Sequence, residues 1–203
     1  MSDNNFKNDL NKVLNKQVLT SIDMTANISK PVDLSSDDPN ELNDMLKEAI
    51  KQEAPSSICL SRATLNIETF KILAAYKNIE RLDISYTNVK DEWLKYILLM
   101  DKLTNLDLID TRITDEGLRY ISLSKSLFSL SLANTLITDK GIEHLTRLKQ
   151  LEALDVTGTE ITDDSVNCIV FFKNLEECQI ADTYISDEGI EYLQSINALE
   201  VYY

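Results

Sequence analysis

The chain has 203 residues, 43% hydrophobic and 27% charged, which suffices for one folded unit with a real core. Its 34 acidic residues against 20 basic ones leave a formal net charge of -14, and a surface that negative repels a phosphate backbone unless its cations cluster. The sequence contains no such cluster, so a nucleic-acid ligand is not expected.

At the N-terminus, MSDNNFKNDLNKVLNKQ lacks the basic start, apolar stretch and small-residue cleavage site of a secretory signal. No apolar run reaches the roughly 18 residues of a membrane span, so the expectation is a cytoplasmic protein without membrane association. Cys59, Cys168 and Cys178 are odd in number and show no short metal or redox spacing, which fits a reducing compartment. Asn27-Ile28-Ser29 matches a glycosylation sequon that a chain outside the secretory route leaves unused.

Phe6, Leu10, Val13, Leu14 and Val18 predict an amphipathic helix, followed by the polar stretch Thr25 to Asp37. Asp38, Pro39 and Glu41 then supply a capping residue, proline at the first helical position and an acidic residue three after the cap. Leu42, Met45, Leu46, Ala49 and Ile50 form one apolar stripe over residues 39 to 52. This helix is expected to shield the apolar segment that begins at Pro55, with residues 1–54 forming a helical N-terminal cap; a partner-docking helix is the alternative.

Segments beginning Ile79, Leu103, Leu127, Leu151, Leu175 and Leu199 align at a constant interval of 24 residues. The clearest copy, LFSLSLANTLITDKGIEHL from Leu127 to Leu145, sets the frame L-x-x-L-x-L-x-x-T-x-I-T-D-x-G-L-x-x-L. An eroded first copy starts at Pro55 and keeps Ile58, Leu60, Leu65, Phe70 and Leu73, so residues 55–203 make six repeats plus a terminal strand. Leu106-x-Leu108, Leu130-x-Leu132 and Leu154-x-Val156 alternate as strands with one face inward, whereas Gly141, Ile142, Leu145 and Leu148 recur at helical spacing. Asp115, Asp139, Asp163 and Asp187, each after Thr or Ser, are placed to cap these helices and complement their dipoles. One such unit buries too little apolar surface to offset the ordering of its backbone, so the units must stack. The expected fold is an α/β solenoid with a parallel sheet on the concave face and short helices on the convex face.

These residues resemble the leucine-rich-repeat family across residues 55–203. The T-x-I-T-D-x-G-L stretch is closest to the variety in F-box-associated proteins and in bacterial proteins with related repeats, with Thr where many carry Asn or Cys. The resemblance implies a horseshoe-shaped protein-protein interaction module rather than an enzyme. A composition rich in Asn, Lys and Ile, without a signal peptide, is similar to effectors that intracellular bacterial pathogens deliver into host cells. Asp187, Glu188, Glu191 and Glu200 are similar to the tail signals of some of them, though they fit the repeat frame equally well. The resemblance also allows a ubiquitin-ligase substrate receptor, weakened because residues 1–54 lack an F-box opening, or an inhibitor of a basic enzyme with an acidic inner face like that of ribonuclease inhibitor.

In this frame the central exposed position of successive strands reads Cys59, Asp83, Asp107, Ser131, Asp155, Gln179 and Tyr203. Flanking columns supply Arg81, Asn105 and Glu177, then Ser85 and Ile109, and a further position adds Arg62, Tyr86, Asp110, Asn134, Gly158 and Asp182. The candidate partner-binding residues are Arg81, Asp83, Tyr86, Asn105, Asp107, Ile109, Asp110, Asp155, Glu177, Gln179, Asp182 and Tyr203. Two accounts of the aspartates stand side by side: a merely solvated face, or a contact surface for a basic protein bound by a monomer. A paired-carboxylate hydrolase would need an enclosed pocket that an open sheet does not offer, and a metal site would need more converging oxygens. Four glycines include no phosphate loop, so no cofactor is expected. His144 falls on an outer helix and reads as a surface residue, while Cys59 is the thiol exposed by its register. Trp93, standing where other repeats have Gly, is either a packing change or an exposed convex anchor. Thr87, Thr111, Thr135, Thr159 and Thr183 form a ladder expected to bond the backbone of neighbouring repeats.

Overall fold

The computed structural model describes residues 32–196 and 199–203; the helix expected from Phe6 to Val18 lies outside them. Strand and helix alternate along the chain: β1 (Val32–Asp33), α1 (Pro39–Glu53), β2 (Ser57–Cys59), α2 (Ile67–Ala75), β3 (Arg81–Asp83), a 3-10 helix (Asp91–Leu99), β4 (Asn105–Asp107), α3 (Asp115–Ile121), β5 (Ser129–Ser131), α4 (Asp139–Leu145), β6 (Ala153–Asp155), α5 (Asp163–Ile169), β7 (Glu177–Gln179), α6 (Asp187–Gln194) and β8 (Glu200–Tyr202). The eight strands form one parallel sheet in sequence order. Helices on one side leave the other side open, and the middle residues Ile58, Leu82, Leu106, Leu130, Leu154 and Cys178 all point into the core. This is the layered α/β solenoid expected from the periodicity.

The aspartates expected to cap the helices do not cap them. The helix N-cap is the preceding residue: Thr114 and Thr162 accept backbone bonds from Glu116 and Asp164, and Ser186 accepts one from Gly189. Asp91, Asp115, Asp139 and Asp163 reach sideways to the next repeat. Asp115 accepts from both the backbone N and the Oγ1 of Thr138 at 2.8 Å, Asp139 likewise binds Thr162, and Asp91 binds Thr114. Such carboxylates bind orphan donors that every helix start leaves behind.

That lateral bond explains the glycine of the frame. A Cβ on Gly117, Gly141 or Gly189 would come within 2.6 Å of the preceding aspartate's Oδ1. In α5 the position is Ser165, which keeps its Cβ by donating its hydroxyl to Asp139. In the second repeat it is Trp93, where the preceding repeat offers Ile67 rather than a carboxylate. Trp93 is buried, 5.8 Å from the Phe70 ring, so it is a packing change and not an exposed anchor.

The threonine ladder is structural, but within each repeat. Thr87, Thr111, Thr135, Thr159 and Thr183 donate to the carbonyls of Ile84, Leu108, Leu132, Val156 and Ile180, three residues back in their own turns and not in the neighbouring repeat.

Three expectations at the ends need correction. The polar stretch before the cap contains β1, whose neighbour Leu34 donates its backbone N–H to the Cys59 carbonyl, so the sheet begins inside the cap region. In α1, Met45 is 37% exposed and Asn43 is buried in its place. Asn43 donates to Asn66 and accepts from Thr69, the two residues of the α2 capping box, so its amide is satisfied. Finally, Gln179 pairs with Tyr202, not Tyr203. The constant interval would have turned Tyr202 inward. A slip of one residue exchanges the two faces of a strand, and it sets the branched aliphatic Val201 opposite Cys178 instead.

Candidate functional site

The open face of the sheet carries the candidate residues in register. Arg81 lies beside Asn105, Asp83 beside Asp107, and Glu177 and Gln179 end the series beside Glu200 and Tyr202. Asn105, Asp107, Ile109 and Asp155 are half-buried, while Arg81, Tyr86, Asp110, Glu177, Gln179 and Asp182 are exposed. Tyr203 is 69% exposed but lies past the last strand, and Tyr202 holds the position assigned to it. The Tyr202 hydroxyl donates to Glu200, and that bond raises its pKa.

The central carboxylates are not equivalent. Asp83 accepts from the Ser85 backbone and from the Cys59 thiol, and Asp155 accepts from the Thr157 backbone and the Ser131 hydroxyl. Among the described residues, the Asp107 carboxylate accepts no hydrogen bond, only its backbone carbonyl taking one from Ile84. Burial first, then the charges of Asp83 and Asp155, hold its carboxyl above the ordinary carboxylate range. Cys59 is half-buried, and burial is the main cause that lifts its thiol to about 11. The thiol expected to be exposed by its register is thus half-buried.

A column at the end of the strands has a backbone constraint that the repeat spacing did not reveal. Arg62, Tyr86, Asp110, Asn134, Gly158 and Asp182 all adopt left-handed backbone, with φ from 53° to 67°. Each lies where the strand turns away from the sheet, and the N–H groups of the first five continue the parallel ladder: Tyr86 donates to Ile109, Asp110 to Ala133 and Gly158 to Ala181. Asp, Asn and Gly suit this conformation; Arg and Tyr do not. Arg62, outside the set of expected site residues, lays its guanidinium 4.6 Å from the centroid of the Tyr86 ring. The missed signal was a bulky residue recurring at a turn position where the other repeats carry Asp, Asn or Gly.

Among the described residues, no group of three or more His, Cys, Asp or Glu is placed to hold a metal ion, and no helix is long and apolar enough to cross a membrane. A cavity of about 20 Å³, room for a single water, is lined by Ile97, Met100, Leu123 and Ser124 on the helical side, away from the sheet face. The face thus offers side chains on a rigid grid at strand spacings of about 4.8 Å.

A parallel sheet gaining one strand per repeat, with a short helix closing each turn, defines a leucine-rich-repeat solenoid. The family model "Leucine Rich repeat" matches residues 101–122. Among solved structures, an internalin (inlF) from Listeria monocytogenes is similar in fold, with a TM-score of 0.50 and 15% sequence identity, covering 83% of this chain and 57% of that one. This chain therefore spans little more than half of that internalin's length. A comparison with curated proteins finds no match.

Proposed function

We propose that this chain is a non-enzymatic interaction module that binds a basic protein surface through the concave face of its sheet, and that it does so as a monomer. The observation that carries this is the row Asp83, Asp107 and Asp155 on a hydrogen-bonded parallel ladder, in which the Asp107 carboxylate has no hydrogen-bond partner among the described residues and is disfavoured by burial and then by the charges of Asp83 and Asp155. A cation set against Asp107 relieves both the burial cost and the repulsion, which is the complementarity that steers and orients charged partners. The setting we propose is a reducing compartment, in which Cys59, Cys168 and Cys178 stay thiols, as they stand here.

The test is affinity purification from a eukaryotic lysate, comparing the native chain with Asp83→Lys, Asp107→Lys and Asp155→Lys combined, at equal folding. The expected result is a basic protein held by the native chain, released by moderate salt and lost from the charge-reversed one. Identical partners on both would overturn the proposal and move attention to α1 and the convex helices.

A further inference from the structure

The left-handed column departs from its own rule at one end. Its third to sixth members, Asp110, Asn134, Gly158 and Asp182, are residue types that tolerate positive φ at little cost. Its first two are Arg62, at φ 66°, and Tyr86, at φ 58°, whose bulk makes the same backbone costlier. The strain is not isolated. Arg62 N donates to the Ser85 carbonyl and Tyr86 N to the Ile109 carbonyl, so the two side chains leave adjacent rungs of one ladder. Both are exposed, and the guanidinium lies over the ring.

Stacking orients a guanidinium without satisfying it. Its five N–H donors lie in the plane of the fork, and contact of the guanidinium carbon with the ring face leaves them available. Among the described residues Arg62 enters no ion pair, although the chain carries a net charge of -14. A preoriented guanidinium at the end of an acidic face, without an ion pair among the described residues, is a receptor for a carboxylate, which takes two of its N–H groups in parallel.

We propose that Arg62 and Tyr86 form a carboxylate-binding anchor at the N-terminal end of the concave face. The partner segment then meets Arg62 with an acidic side chain, and Asp107, Asp155 and Glu177 with basic ones. This rests on the acidic face being a docking surface, and it adds the polarity of the occupant. From β2 to β7 the face spans about 24 Å at the usual strand spacing, a length matched by a helix of about 16 residues.

The test uses the full chain and two synthetic helical peptides of that length. One presents lysines along a single face; the other is identical except for a pair of glutamates at one end. Their affinities are read by fluorescence anisotropy on the native chain, on Arg62→Asn, and on Asp107→Lys combined with Asp155→Lys. Asparagine suits the left-handed backbone, so Arg62→Asn keeps the turn. The glutamate-ended peptide is expected to bind the native chain about tenfold more tightly than the lysine-only peptide. Arg62→Asn is expected to abolish that difference while leaving the lysine-only affinity within about twofold. Equal affinities on the native chain, or a difference that survives Arg62→Asn, overturn the anchor. If instead the doubly lysine-substituted chain holds the lysine-only peptide as the native one does, the acidic-face proposal falls and the occupant's polarity with it, whereas a glutamate preference lost only in Arg62→Asn shows the carboxylate contact by itself. Failure of both peptides to bind the native chain removes both.

Discussion

Asp107 is the residue at which the sheet face carries an internal cost. The carboxylates of Asp83, one strand away, and Asp155, two strands away beyond Ser131, each accept two hydrogen bonds, whereas the half-buried Asp107 carboxylate accepts none among the described residues. Burial, then the charge of the adjacent Asp83 and that of the more distant Asp155, raise its pKa in the folded state. The folded chain thus holds this proton more tightly than the unfolded chain does. The stability it contributes is present below its unfolded pKa of about 3.9 and lost as pH rises through the folded value. Asp107→Asn removes that loss. The variant is expected to have a higher urea midpoint than the native chain at pH 7, and the gap should close as pH is lowered through the carboxylate range. A gap that persists in acid would assign the effect to packing instead of ionisation.

At the scale of elements, neighbouring repeats are locked by a pairing of aspartate with glycine. Gly141 sits on α4 because Asp115, at the start of α3, must pass over it to reach Thr138. Gly141→Ala places a Cβ 2.6 Å from that carboxylate oxygen. Displacing the carboxylate weakens two hydrogen bonds worth about 0.5 to 1.5 kcal/mol each, against a gain in helix propensity of about 1 kcal/mol. The expected balance is a loss of about 1 kcal/mol, read as a lower denaturant midpoint with an unchanged slope. Gly141→Ser should lose less, because its hydroxyl can donate to Asp115 as Ser165 does to Asp139. Intrinsic propensity favours Ala over Ser, so an Ala variant more stable than the Ser variant would dismiss the interlock. The same logic accounts for Trp93: with Ile67 in the aspartate position, no carboxylate crosses the helix start and a large ring fills the space against Phe70.

At the scale of the whole molecule, stacked repeats keep acidic residues at the same place in successive turns, so like charges line up. Only a few local pairs, such as Lys71 with Glu68 and Arg119 with Glu116, offset this among the described residues. Raising ionic strength from about 0.01 to 0.15 M shortens the screening length from about 30 to 8 Å. With a net charge of -14, that is expected to raise the thermal midpoint of the isolated chain while weakening its hold on a basic partner. A midpoint that falls with salt would mean that the local pairs outweigh the summed repulsion. The two opposite salt responses together separate self-repulsion from docking.

Much of this architecture was legible in the sequence because the inward leucines, the turn threonines and the helix starts recur at one interval, and apolar period alone specifies which face each occupies. The face residues Asp83, Asp107 and Asp155 followed from that period, since a strand that buries Leu82, Leu106 and Leu154 must expose their neighbours. Where the period ends, tertiary structure decided. β1 is two residues long and exists by pairing with β2, Asn43 displaces Met45 because partners on α2 satisfy it, and Tyr202 replaces Tyr203 because Val201 turns inward. The sideways reach of the aspartates, the left-handed column and the stacking of Arg62 on Tyr86 depend on distances between repeats. A linear pattern states what recurs along the chain; only the packing of one turn on the next states what each recurrence touches.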